Sequence, residues 1–124
     1  MAGLKKTTVG VDIFQDYRGV EMAIEFEKNE SGHGGTIRIK GNFNFDVNRD
    51  FREALRAAAD SGCNIIIDMS LVNEIDSSAL GMLLLLREQC GGNNARIKIV
   101  KSSAAILAIL KMANFQNMFD IELS

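Results

Sequence analysis

"IIIDMSLVNEIDSSALGMLLLL", residues 65–86, holds the reading that decides the fold. With Asn64 in front, "NIIIDMS" is predicted as a short strand ending near Met69. Its consecutive isoleucines are those of a strand covered on both faces. The chain then passes through polar "SLVNEID" to the start of a helix. The helix body, Leu80 to Leu86, is apolar nearly all round, so it is buried on most sides. Ser77 or Ser78 can cap it, because a short hydroxyl accepts from the unpaired amides of a first helical turn. Gly81 costs about 1 kcal/mol of helix propensity, which implies close backbone packing against the sheet. A strand feeding a helix in this way sets the helix N-terminus at the carboxyl edge of the sheet. In open α/β sheets that edge is where ligands and partners meet the fold.

Working outward, the upstream segments are strands of a different kind. "VEMAIEF" alternates, with Val20, Met22, Ile24 and Phe26 on one side and Glu21, Ala23, Glu25 and Glu27 on the other. "TIRIK" repeats the pattern, with Ile37 and Ile39 inward and Arg38 and Lys40 outward. The polar, glycine-rich "KNESGHGG" between them predicts an antiparallel hairpin with a flexible tip. The outer glutamates would face Arg38 and Lys40 across the strands. In "GNFNFDVNRDFREALRAAADSG" Asp46 is a suitable N-cap, and Val47, Phe51, Ala54, Leu55 and Ala58 recur at helical spacing. Gly62 supplies a left-handed stop.

Downstream, "RIKIV" is a strand and "SSAAILAILKMANF" a helix capped by Ser102 or Ser103. "FDIEL" is a last alternating strand, with Phe119, Ile121 and Leu123 on one side. Strands separated by helices pair in parallel through right-handed crossovers. The fold class is therefore α/β: one domain with a mixed, mostly parallel sheet begun by an antiparallel hairpin, and helices packed on it. Residues 20–124 form this domain. Residues 1–19, where "TVGVDIF" also alternates, are a leader or an extra strand.

Composition narrows the function. The 124 residues suffice for one core, and the net charge of −2 comes with both signs interspersed and no Lys/Arg stripe. That disfavours direct binding to nucleic acid or to an anionic membrane. The longest apolar run, Ala79 to Leu86, is too short to span a bilayer, and no signal peptide opens the chain. A cytoplasmic protein with two free thiols, Cys63 and Cys90, is the expectation. The two cysteines fall at the same end of the sheet.

Catalytic chemistry has little support. His33 is the only histidine and reads as a solvated loop residue; no set of metal ligands clusters around it. "SGHGG" lacks the Lys-Ser/Thr of a phosphate loop and joins two strands rather than a strand and a helix. Neither Ser77 nor Ser78 has a nucleophile-elbow context. The carboxylate pairs Asp46 with Asp50 and Glu74 with Asp76 read as solvated caps and faces. No enzyme, cofactor or metal site is expected.

From Thr36 to the end, the chain resembles a STAS domain, the fold of bacterial anti-sigma factor antagonists. Three stretches carry the resemblance in order and spacing: "GNFNF" (41–45), "IIIDMSLVNEIDSSALGMLLLL", and "RIKIVKSSAAILAILKMANFQNMFDI" (96–121). The resemblance implies that Ser77, directly after Asp76, is phosphorylated by a cognate anti-sigma factor that is a serine kinase. A serine phosphatase would reverse the modification. The unphosphorylated form would bind the anti-sigma factor and free the sigma factor for transcription. Asp76, Ser77, Ser78 and Gly81 would form the partner surface with Asn44 and Phe45, and Ser78 would be the inner, capping serine. Asn44 stands where many relatives carry an acidic residue, which removes one charge near the site. A second reading within the fold is a scaffold subunit of a larger signalling or transport assembly, with Ser77 a contact and never phosphorylated. Whether the chain forms a homodimer is open in the sequence.

Overall fold

The computed structural model describes residues 21–122 together with Thr8–Val9 and Phe14–Gln15; for residues 8, 9, 14, 15 and 21–23 it describes the backbone alone. The expected placements of Val20 and Leu123, and most of the 1–19 segment, lie outside the described residues. Among the described residues, seven strands and three α-helices follow in order: β1 (Thr8–Val9), β2 (Phe14–Gln15), β3 (Glu21–Lys28), β4 (Gly35–Phe43), α1 (Asn48–Asp60), β5 (Asn64–Ile75), α2 (Ser77–Gln89), β6 (Arg96–Val100), α3 (Ala104–Met112) and β7 (Asp120–Ile121). The sheet runs β1-β3-β4-β5-β6-β7, with β2 pairing beside β1 on β3. Contacts of β3 with β1, β2 and β4 are antiparallel, and those from β4 through β7 are parallel. The mixed α/β sheet opened by a hairpin is thus the observed fold.

Among the described residues, the helices cover one face of the sheet. Ile24, Phe26, Ile37, Ile39, Ile65, Ile67, Ile97 and Ile99 point into a core closed by Phe51, Leu55, Leu83, Leu86, Ile106 and Leu110 of the helices. Between the buried isoleucines, Ile66 is 40% exposed. The consecutive isoleucines of β5 therefore do not mark a strand buried on both sides. The opposite face carries an ionic cluster. Arg38 donates to Glu27 at 2.5 Å and lies 3.7 Å from both Glu25 and Asp68. The Glu25↔Arg38 register confirms the expected cross-strand pairing.

That cluster makes stability sensitive to acid. Burial pushes the Asp68 carboxyl up, but hydrogen bonds from Ser70 and the charges of Lys101 and Arg38 outweigh it and hold it below the usual carboxylate range. A depressed pKa in the folded state contributes stability above the unfolded value of about 4. That contribution disappears as pH falls through the lower folded value. Urea denaturation should show the midpoint falling below pH ~4, and Asp68→Asn should flatten that part of the profile.

β5 is longer than the expected strand and runs on to Ile75. Its register against β4 shifts twice, between Arg38 and Lys40 and between Gly41 and Asn42. Each shift is a bulge, and each breaks the alternation of buried residues, which runs 65, 67, 69 and then 72 and 75. "SLVNEID" lacks period two for this reason. The hairpin tip is also more ordered than expected. Asn29 bonds Gly34 and His33, and the Gly34 amide donates to Ser61 at 2.7 Å, tying the tip to the turn after α1. Gly62 is left-handed, as expected.

Candidate functional site

Chain direction sets the site. β4 ends at Phe43 and β5 at Ile75, and the two residues pair in register, as do Asn42 and Glu74. Both connections into helices therefore leave the same edge of the sheet side by side. After Phe43 the chain enters a short 3-10 turn, Phe45–Val47, which Asn44 caps by accepting from the Asp46 amide at 2.9 Å. Asp46 is not the cap of α1. α1 starts from Val47, which offers no capping side chain, and Asp46 lies exposed in the preceding turn with its own amide bonded to Asn44. Phe45 projects into solvent at 66% exposure.

After Ile75, Asp76 stands in extended conformation and its carboxylate accepts from the Ala79 amide at 3.0 Å. Asp76 is thus the N-cap of α2, and neither Ser77 nor Ser78 performs that task. A residue inside the first turn has helical backbone, whereas a capping side chain must approach from the extended residue before it. Ser77 is the first residue of the helix and exposed; Ser78 is the second and half-buried. Their amides have no acceptor within the helix, because the first turn of any α-helix leaves its N–H groups free. The helix therefore presents free donors and a partial positive charge beside the Ser77 hydroxyl.

α2 is anchored by Ala79, Met82, Leu83 and Leu86, all buried. Gly81 does not pack against the sheet. It is exposed, and a Cβ built there meets no neighbouring atom within 4 Å. Ser77, Gly81, Leu84 and Glu88 recur at helical spacing, and all four are exposed. Leu84 belongs to this open face, and the spacing from Ser77 and Gly81 was the signal that could have placed it there. Gly81→Ala should raise stability by about 1 kcal/mol through helix propensity, measured as a higher Tm. A large loss of stability instead would mean that backbone packing does require the glycine.

The structure brings together Asn44, Phe45, Asp76, Ser77, Ser78 and Gly81 along one edge. His33 is not among them. It sits on the tip before β4, while Ser77 follows the far end, across nine residues of strand or about 30 Å. A serine–histidine relay between them is ruled out by that separation. Among the described residues no group of acidic, histidine or cysteine side chains could hold a metal ion, and no helix is long and apolar enough to cross a membrane.

Comparison with known proteins points the same way. The family described as "Mlab, STAS domain" matches residues 26–121. A STAS-domain containing protein of Pseudomonas aeruginosa (strain UCBPP-PA14) is 40% identical over 100 residues, which is 81% of this chain and 99% of that protein. Among solved structures, the anti-sigma factor antagonist SpoIIAA in its unphosphorylated form superimposes with a TM-score of 0.65 at 17% identity. The match covers 82% of this chain and 89% of SpoIIAA. A putative anti-sigma factor antagonist from Thermotoga maritima gives the same TM-score at 15% identity, covering 82% of this chain and 86% of its own.

Proposed function

The chain belongs to the STAS-domain family, and from that premise we propose that it is an anti-sigma factor antagonist switched by phosphorylation of Ser77. Unphosphorylated, it binds an anti-sigma factor and so releases a sigma factor for transcription. The anti-sigma factor, acting as a serine kinase, phosphorylates Ser77 and is set free, and a serine phosphatase restores the binding form. The chain is bound and modified in this cycle; it catalyses nothing, and it acts in the cytoplasm without touching nucleic acid or membrane.

The observation that supports this reading is the division of labour at the start of α2. Asp76 performs the capping, so the exposed Ser77 hydroxyl has no structural duty in the first turn. A phosphate there meets the free amides and the positive helix end, an interaction of about 1–2 kcal/mol. The fold therefore tolerates the modification. Asp76, Ser78, Gly81, Asn44 and Phe45 supply the surrounding contacts, with Phe45 the apolar anchor.

The test is phosphate transfer from ATP by a candidate anti-sigma serine kinase, followed by intact mass. Ser77→Ala should abolish the gain of one phosphate and Ser78→Ala should keep it. Transfer that survives Ser77→Ala and vanishes with Ser78→Ala overturns the assignment. A second reading, an unphosphorylated scaffold subunit of a larger signalling or transport assembly, draws on the exposed apolar pair Phe45 and Leu84. It is favoured if Phe45→Ala abolishes assembly while no kinase modifies Ser77.

A further inference from the structure

A second surface lies on the face of the sheet opposite the helices, toward the amino ends of β5 and β6. There a trough of about 440 Å³ is lined by residues that include Asn64, Ile66, Arg96, Lys98, Met118 and Asp120. The register places Asn64 beside Arg96 and Ile66 beside Lys98, with Asp120 on the far side of Lys98. Arg96 and Lys98 are exposed, and among the described residues neither forms an ion pair. Arg38 on the same face is held by three carboxylates, those of Glu25, Glu27 and Asp68. The face thus compensates one cation and leaves two without a counter-charge. Beside them Ile66 is 40% exposed, although it stands in the central strand.

Two free cations next to an apolar side chain select a ligand by charge and by reach. Arg96 and Lys98, two positions apart on one strand face, are about 7 Å from each other, which is also the separation of alternate side chains in an extended peptide. An extended segment laid over the boundary of β5 and β6 sends its side chains alternately to either side. Carboxylates then meet Arg96 and Lys98, and apolar groups cover Ile66. Asp120 on one flank and Asp68 on the other confine the positive patch to those two residues. A continuous polyanion, such as RNA or an anionic membrane, meets the repulsion of both flanks and of a net charge of −2. A short segment with carboxylates only opposite the cations avoids it.

We propose that this trough is a second docking site, which takes an extended partner-protein segment of alternating acidic and apolar residues. Ile66 precedes Ile75 by nine residues of β5, which puts the trough about 30 Å from the Ser77 edge. A partner seated at Ser77 therefore leaves the trough accessible, and the domain can hold two proteins at once.

Fluorescence anisotropy of a labelled peptide of alternating glutamate and leucine, titrated with the full chain, should show saturable binding that weakens as salt is raised. Joint substitution Arg96→Glu and Lys98→Glu should weaken it by about tenfold or more, and Ile66→Ser by about threefold or more. Melting curves should stay near that of the unsubstituted chain, because all three side chains are exposed. Asp120→Asn should tighten binding. The charge-reversed chain should take up the matching lysine–leucine peptide, which the unsubstituted chain does not. Absence of saturable binding of the acidic peptide overturns the proposal, as does binding indifferent to the charge reversal. Tighter retention of single-stranded RNA or phosphatidylglycerol vesicles, lost in the same variant, assigns the trough to a polyanion and overturns it equally. None of these readouts involves Ser77 or its kinase, so their failure leaves the phosphorylation reading untouched.

Discussion

Gly34→Ala should lower stability by about 3 kcal/mol or more, a drop in Tm of at least ~10 °C. Two effects combine there. The residue has φ +77°, and an added Cβ would lie 2.0 Å from the Asn64 carbonyl oxygen and 2.8 Å from its carbon. Those atoms are backbone at the start of the central strand β5, so no side-chain rotation relieves the overlap. The Gly34 amide also holds Ser61, and any shift that makes room breaks that bond. Gly32→Ala separates the contributions. Gly32 has φ +85° but nothing within 4 Å of its Cβ position, so it carries the left-handed strain alone, about 1–2 kcal/mol. Equal losses for the two variants, by thermal or urea denaturation, would refute the close approach of the tip to β5.

Phosphate on Ser77 should weaken binding to the anti-sigma factor several-hundred-fold, about 3–4 kcal/mol, with Tm unchanged or slightly raised. The phosphate adds roughly −1.5 to −2 charge on the edge that already exposes Asp46, Glu74 and Asp76. A partner docking there must desolvate that anion or move away from it. The host fold gains from the same charge, because it meets the positive end of α2. Calorimetric titration of both forms against the partner checks the first half, and melting curves of the free forms check the second. Ser77→Asp should show a smaller loss, since it carries one charge and fewer acceptor oxygens. Equal affinity of the two forms removes the switch; a melted phosphoprotein replaces it with unfolding.

The fold was legible wherever burial follows a simple period. β3 from Ile24 onward and β4 alternate because the helices cover one face, and α1 repeats its core residues at helical spacing; both readings match the structure over the described side chains. Reading failed where backbone detail overrides the pattern. "SLVNEI" belongs to β5, but its two bulges replace spacing two by spacing three, so it has no strand signature. Asp76, in extended backbone one residue before Ser77, caps α2 in place of a serine, and α1 starts from Val47 with no side-chain cap because a 3-10 turn, capped by Asn44, intervenes where Asp46 was expected. At the site, the six residues expected on the partner surface do share one edge. Its extension to Leu84 was missed because a run of leucines looks buried throughout, although Leu84 follows Ser77 and Gly81 at helical spacing.

The double bulge of β5 has one more consequence. Ladder pairing with β6 ends at Asp68 and Val100, yet β5 continues to Ile75 with β4 alone. A flat strand half-paired in this way would be a template for recruiting another chain and a seed for precipitation. Bulges twist and interrupt such a border, and the exposed Leu71 on this one is flanked by polar Ser70, Asn73 and Glu74. The irregularity that hid the strand from its period thereby also hinders another strand from pairing along this border.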